Sequence, residues 1–153
     1  MSTRSIIVVT NNKKINRIYK HSDGYPTHNL EVIAETLEKV KRKTIKQVTD
    51  TICDTAGGST RVEYFSNNPR LNDASLGLQG DLEWIYIVDL SEKRIDVYGG
   101  GYADQTPMEF IKSGTVNPLT YVNQLRDECQ GREYKSIYKS MNRLYKLGFQ
   151  INS

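Results

Sequence analysis

The sequence predicts an α+β domain: an antiparallel sheet of about five strands, two hairpins plus one short strand, with helices packed on it in the order ββ-αα-βββ-αα. Three observations carry that expectation. Period-two segments rich in β-branched residues cluster at the start and in the middle of the chain. Apolar residues at helical spacing fill the stretch between them and the last third. Short polar turns separate neighbouring strand candidates. A length of 153 residues makes one domain, 1–153, the default. A chain of that size buries about 68–70% of its unfolded surface, enough for a core without disulfides or metal.

Thr3 to Thr10 is the first strand candidate, and its run Ile6-Ile7-Val8-Val9 marks a strand buried on both faces. The polar turn Asn11 to Lys14 leads into Ile15 to His21, where Ile15, Arg17 and Tyr19 alternate with Asn16, Ile18 and Lys20. Asp23-Gly24-Tyr25-Pro26 ends that strand, since glycine permits a positive φ and proline cannot continue a ladder. Asn29 is the expected N-cap of a helix carrying Leu30, Ile33, Ala34, Leu37 and Val40. A basic joint, Lys39-Val40-Lys41-Arg42-Lys43, precedes a second helix with Ile45, Val48, Ile52 and Ala56 on one face, stopped by Gly57-Gly58.

Arg61 to Phe65 is a short strand candidate, and Ser66 to Gly80 reads as a loop. Leu82 to Leu90 is the clearest strand, with Trp84, Tyr86 and Val88 on one face and Glu83, Ile85, Ile87 and Asp89 on the other. Ser91-Glu92-Lys93 turns it into Arg94 to Tyr98, which Gly99-Gly100-Gly101 ends. Thr106-Pro107 opens a short helix, and Asn117-Pro118 opens another with Leu119, Val122, Leu125 and Cys129. After a break at Gln130-Gly131, Tyr134, Ile137, Tyr138, Met141, Leu144 and Tyr145 form a final helical stripe.

The formal charge is +3, from 21 Lys and Arg against 18 Asp and Glu, which excludes an acidic nucleic-acid mimic. Its distribution is uneven. Residues 1–56 sum to +4, residues 57–116 to −4 and residues 117–153 to +3. Two cysteines, Cys53 and Cys129, are too few for a disulfide framework and suit a reducing cytoplasm. No apolar run approaches the ~20 residues that span a bilayer, and the N-terminus lacks a signal-peptide core. A cytoplasmic protein without membrane partners is therefore expected.

The densest group of chemically capable side chains is Tyr19-Lys20-His21-Ser22-Asp23-Gly24-Tyr25-Pro26. One reading is a binding loop, with His21 and Asp23 turned to a ligand and Tyr25 as a stacking wall. The other is a self-satisfied turn, with Asp23 bonded to backbone amides and Tyr25 packed on the sheet. Arg4, at the start of the first strand, calls for a carboxylate partner, and Asp81, Glu83 and Asp23 are the candidates. Asp81 and Glu83 are two apart on a strand and share a face. Gly99-Gly100-Gly101 fits neither a P-loop nor G-x-G-x-x-G, and no G-x-S-x-G, H-E-x-x-H or C-x-x-C occurs. No catalytic residue, metal site or cofactor is assigned, and the signals weigh against an enzyme. Tyrosine is abundant, ten residues against three Phe and one Trp, and Tyr134, Tyr138 and Tyr145 share the last helix with basic neighbours. Tyrosine suits half-buried positions and interfaces.

The TRS-plus-apolar opening, the segment YKHSDGYP and the strand GDLEWIYIVDL resemble a family of small uncharacterised proteins of phages, prophages and plasmids. Members carry a TR-x-hydrophobic first strand and an HxDGYP loop. Here Ser22 stands where an aromatic is frequent, and Thr27-His28 where a Gly-containing segment follows. The resemblance implies a mobile-element origin and an α+β fold, and supplies no reaction. Three functions are open at this point. The first is a non-enzymatic binding protein acting on a host protein or ribonucleoprotein, such as a counter-defence inhibitor of the anti-CRISPR kind. The second is a binder or processor of a small nucleotide through the His21–Pro26 loop. The third is a nucleic-acid-binding accessory protein using the basic ends. A homodimer is also compatible with the tyrosine content.

Overall fold

The computed structural model describes residues 4–11, 13–20, 22–55, 59–62, 84–99 and 131–151. Their elements follow the order β1 (Ser5–Thr10), β2 (Ile15–Lys20), α1 (Pro26–Lys39), α2 (Ile45–Thr55), β3 (Ser59–Val62), β4 (Trp84–Asp89), β5 (Arg94–Gly99), α3 (Gly131–Lys146) and β6 (Gln150–Ile151). The class is α+β, as the alternation of strand and helix patterns implies. The helices expected at 106–111 and 118–129 lie outside the described residues.

The strands form one sheet in the order β3-β2-β1-β4-β5-β6. Both predicted hairpins are present: β1 pairs antiparallel with β2, and β4 with β5. The sheet as a whole is mixed, however, not antiparallel. β1 runs parallel to β4, from Ser5 beside Trp84 to Thr10 beside Asp89, and the two-residue β6 runs parallel to β5. A tight turn dictates strand direction locally. Strands joined through long connections carry no such signal, because residue alternation reports faces and not direction.

Central placement explains the apolar run in β1, whose six residues are all buried. Ile7 and Val9 join Ile18, Trp84, Tyr86, Val88, Ile95 and Val97 in one core with the helices. Ile6 and Val8 share the other face with Ile15, Ile85 and Ile87, which are buried too. That second face also takes in Arg17, only 1% exposed. The helices contribute Leu30, Ile33 and Leu37 from α1, Val48 and Ile52 from α2, and Ile137, Met141 and Leu144 from α3 to the core. Cys53 is half-buried at its margin, packed there as a small apolar side chain.

Helix limits differ from expectation in two places. The N-cap of α1 is Tyr25, with Pro26 in the first turn, so Asn29 lies inside the helix. Proline's fixed φ starts the helix without a side-chain cap. The last helix begins at Gly131, where a break was expected, and closes in a Schellman motif. There Gly148 N–H donates to Tyr145 O (3.0 Å) and Phe149 N–H to Leu144 O (3.1 Å), with Gly148 at φ +87°. Phe149 and Leu144 are both buried, giving the apolar contact that accompanies this motif.

Candidate functional site

The β2–α1 connection, the sequence's densest polar stretch, is built over a buried row. The register sets Ser5 between Lys20 on β2 and Trp84 on β4, on the face covered by helices. Period two makes this unavoidable: Lys20 shares its side of β2 with Ile18, which is in the core. Lys20 is accordingly 1% exposed and needs partners. The first turns of α1 supply one, since Asn29 lies one turn before Ile33 on the inward face. Lys20 Nζ donates to Asn29 Oδ1 at 2.8 Å and to the Asp23 carbonyl at 3.4 Å. Asn29 Nδ2 donates to Ser5 Oγ (3.0 Å) and to Gly24 O (3.2 Å), so its whole amide is engaged. The Tyr86 hydroxyl donates to the same Gly24 carbonyl at 2.7 Å.

Above this layer Asp23 adopts φ +56°, a left-handed conformation that aspartate tolerates. Its carboxylate is exposed and accepts from the Tyr25 hydroxyl at 3.1 Å. Burial pushes the Lys20 ammonium down to about 8, against the opposing pull of Asp23. His28, half-buried on α1, is held below its usual value by burial and then by the charge of Lys20, with Asp23 and Glu31 opposing. The Lys20 amine is closed off by its exposure and its bonds. The connection is thus fastened at Gly24 from two sides, and among its described residues Ser22, Asp23 and the edge of Tyr25 meet solvent.

The residues proposed from sequence for this area separate. Arg4 is half-buried just ahead of β1, its carbonyl accepting from Trp84 N–H at 3.3 Å. His21, Asp81 and Glu83 lie outside the described residues, and with them the Arg4 pairing to Asp81 or Glu83. Lys20, Asn29, Ser5 and Tyr86 were not singled out. The signal for Lys20 was its alternation with Ile18, and for Asn29 its helical spacing to Ile33.

The second candidate surface is the outer side of α3. Ile137, Ser140, Met141 and Leu144 face inward and are buried. At about 100° per residue, Tyr138 and Tyr145 fall on the flank of that inward arc. They stand 47% and 46% exposed, the large hydrophobic side chains left open among the described residues. Tyr138 lines a shallow groove of about 400 Å³ with Lys135, Lys139, Asn142, Arg143 and Lys146. Burial and then the nearby Tyr138 raise the Tyr145 hydroxyl above its ordinary value. Arg143 is turned toward α1, where its guanidinium donates to both oxygens of Glu38, at 3.0 and 3.2 Å from Nε. That bond holds the Glu38 carboxyl below its usual range. Tyr134 belongs to the first turn of α3, and its side chain lies outside the described residues.

The fold and surfaces define a mixed-sheet α+β protein with a basic, tyrosine-bearing helix. No protein-family model, curated protein or solved structure matches this chain. Among the described residues no group of three or more His, Cys, Asp or Glu is placed to hold a metal ion, and no helix is long and apolar enough to cross a membrane.

Proposed function

We propose that the chain is a non-enzymatic binding protein that docks a partner protein on the outer face of α3. The observation that carries the reading is the exposure of Tyr138 and Tyr145 beside a groove lined by cations. Tyrosine offers a rigid, amphipathic contact at small entropic cost, and Tyr and Arg are enriched at the centres of protein interfaces. The lysines suit an acidic rim on the partner and raise the association rate. The helix itself is firmly seated by Ile137, Met141 and Leu144, so it presents a preorganised surface. The mobile-element resemblance casts the partner as a host factor and the role as inhibition of host defence.

The test is quantitative capture from a lysate of the source cell, comparing the wild type with Tyr138→Ala/Tyr145→Ala. One protein retained by the wild type and reduced at least tenfold by the double variant supports the reading. A partner retained equally by both, or none retained by either, removes it. Size-exclusion chromatography with light scattering identifies the case in which that partner is a second copy.

A further inference from the structure

Four connections meet at one end of the molecule. β1 and β4 run parallel and finish there, so the turns 11–14 and 90–93 lie side by side. α1 runs back from the far end of β2, which brings the joint 40–44 to the same end. α3 finishes there as well: Gln150 N–H donates to Lys93 O at 2.9 Å, and Lys93 lies against Gly148. Together with 147–149 between α3 and β6, these connections hold six cations and one acid, Glu92, a net +5 in a chain of net +3. All six cations are exposed: Lys13 and Lys14, then Lys41, Arg42 and Lys43, then Lys93.

The neighbouring charges leave this excess in place. Lys39 pairs with Glu35, Arg94 with Asp96 and Arg143 with Glu38, so those six groups cancel. Asp89 accepts from the Ser91 hydroxyl at 2.7 Å and from the amides of Ser91 and Glu92, neutral donors that leave its charge in place, so it subtracts one. Asp50 lines the depression of about 580 Å³ at the joint and is outnumbered there by Lys41 and Arg42, Lys39 being paired with Glu35. Exposed Lys46 and Lys146 add two cations from the ends of α2 and α3. The carboxyl ends of α1 and α3 bring negative dipole, which the amino end of α2, at the same end of the molecule, opposes in part. With strands about 4.8 Å apart and the helix layer about 10 Å above them, the cations span roughly 10–20 Å.

We propose that this end of the molecule binds the phosphodiester backbone of a nucleic acid, without base specificity. The composition selects that partner. Lysine is depleted at protein–protein interfaces, and the connections carry five lysines, one arginine and no exposed aromatic. A membrane-surface site pairs cations with apolar side chains that enter the lipid. Here Val40 and Phe149 are buried, and Leu90 and Leu147 are packed against the core. Neutralising about four phosphates gives a log–log salt slope near −3.6 on duplex and −2.8 on single strands. The proposal rests on the connections, which adjoin the tyrosine flank of α3 through Lys146 but use none of its tyrosines.

The experiment is fluorescence anisotropy of the full chain with a labelled 20-base-pair DNA duplex, the same duplex in RNA and a single strand, from 25 to 200 mM KCl. Binding that weakens with a slope near −3 to −4 on either duplex is expected, and the tighter of the two identifies the source of the backbone. Lys41→Gln/Lys43→Gln weakens binding at least tenfold at 50 mM KCl and flattens the slope by about 2. Ser22→Asp/Thr27→Asp removes the same net charge at the opposite end and changes affinity less than about threefold. A slope shallower than about −1, equal weakening by the two variants, or equally tight binding to phosphatidylserine vesicles at the same salt overturns the proposal.

Discussion

Lys20→Met tests the buried layer beneath the β2–α1 connection. In the folded chain the Lys20 ammonium titrates near 8, against 10.5 in the unfolded chain. Between those values the unfolded state holds the proton and the native state has released it. Stability therefore rises with pH through this window; as pH is lowered from 10.5 toward 8 it falls, and it levels off below that. Integrated from pH 7 to pH 10, the gain is about 2–3 kcal/mol. Methionine keeps the length and apolar body of the side chain but does not titrate. It also leaves Asn29 Oδ1 without its 2.8 Å donor, at a cost of about 1–3 kcal/mol that does not vary with pH. The assay is urea unfolding of both proteins at pH 7, 8, 9 and 10. Other tyrosines and lysines titrate in both, so the wild-type minus variant difference isolates Lys20. That difference should grow in favour of the wild type by about 2–3 kcal/mol across the series. A difference constant with pH would refute the argument that burial, rather than a compensating charge, governs this amine.

Three further substitutions address single contacts. Asn29→Ala removes the 2.8 Å acceptor of Lys20 Nζ, which keeps only the Asp23 carbonyl at 3.4 Å, and the donor to Ser5 Oγ, so the urea midpoint should report a loss of about 2–4 kcal/mol. Tyr86→Phe deletes only the hydroxyl on Gly24 O, which keeps its Asn29 donor, so a loss of about 1 kcal/mol and a Tm fall of roughly 2–4 °C are expected in a thermal melt. Gly148→Ala meets Lys93 Cδ at an ordinary 3.9 Å, so its cost is the left-handed backbone alone, about 1–2 kcal/mol by chemical unfolding.

The alternation in β2 and β4 divided their residues between two faces as observed, because the pleat sends successive side chains to opposite sides, but it carried no sign of which face the helices cover. Lys20 was legible by that rule, yet a lysine beside a Gly-Pro turn also reads as a solvated strand end. Only the position of Asn29 inside α1, set by Pro26 starting the helix early, shows that it is buried. The parallel pairing of β1 with β4 had no local signal, since the chain between them is long and direction is a property of the whole path. The tyrosine stripe of α3 combined two sets of residues that the sheet separates. Ile137, Met141 and Leu144 lie at the centre of the buried arc, while Tyr138 and Tyr145 sit at its edge. A period of 3.6 does not give the width of that arc. Gly148 was a readable C-terminal signal followed by an apolar residue, and β6 follows directly from the Schellman turn it makes.

The docking role of α3 is tested most directly by site-specific photo-cross-linking in the source cell. A photo-reactive residue is placed in turn at 138, at 145 and, as a reference, at the exposed position 54 near the end of α2. The account predicts one common protein adduct from positions 138 and 145 and none of that mass from position 54. Adducts of equal yield from all three positions, or none from the two tyrosine positions, would contradict it.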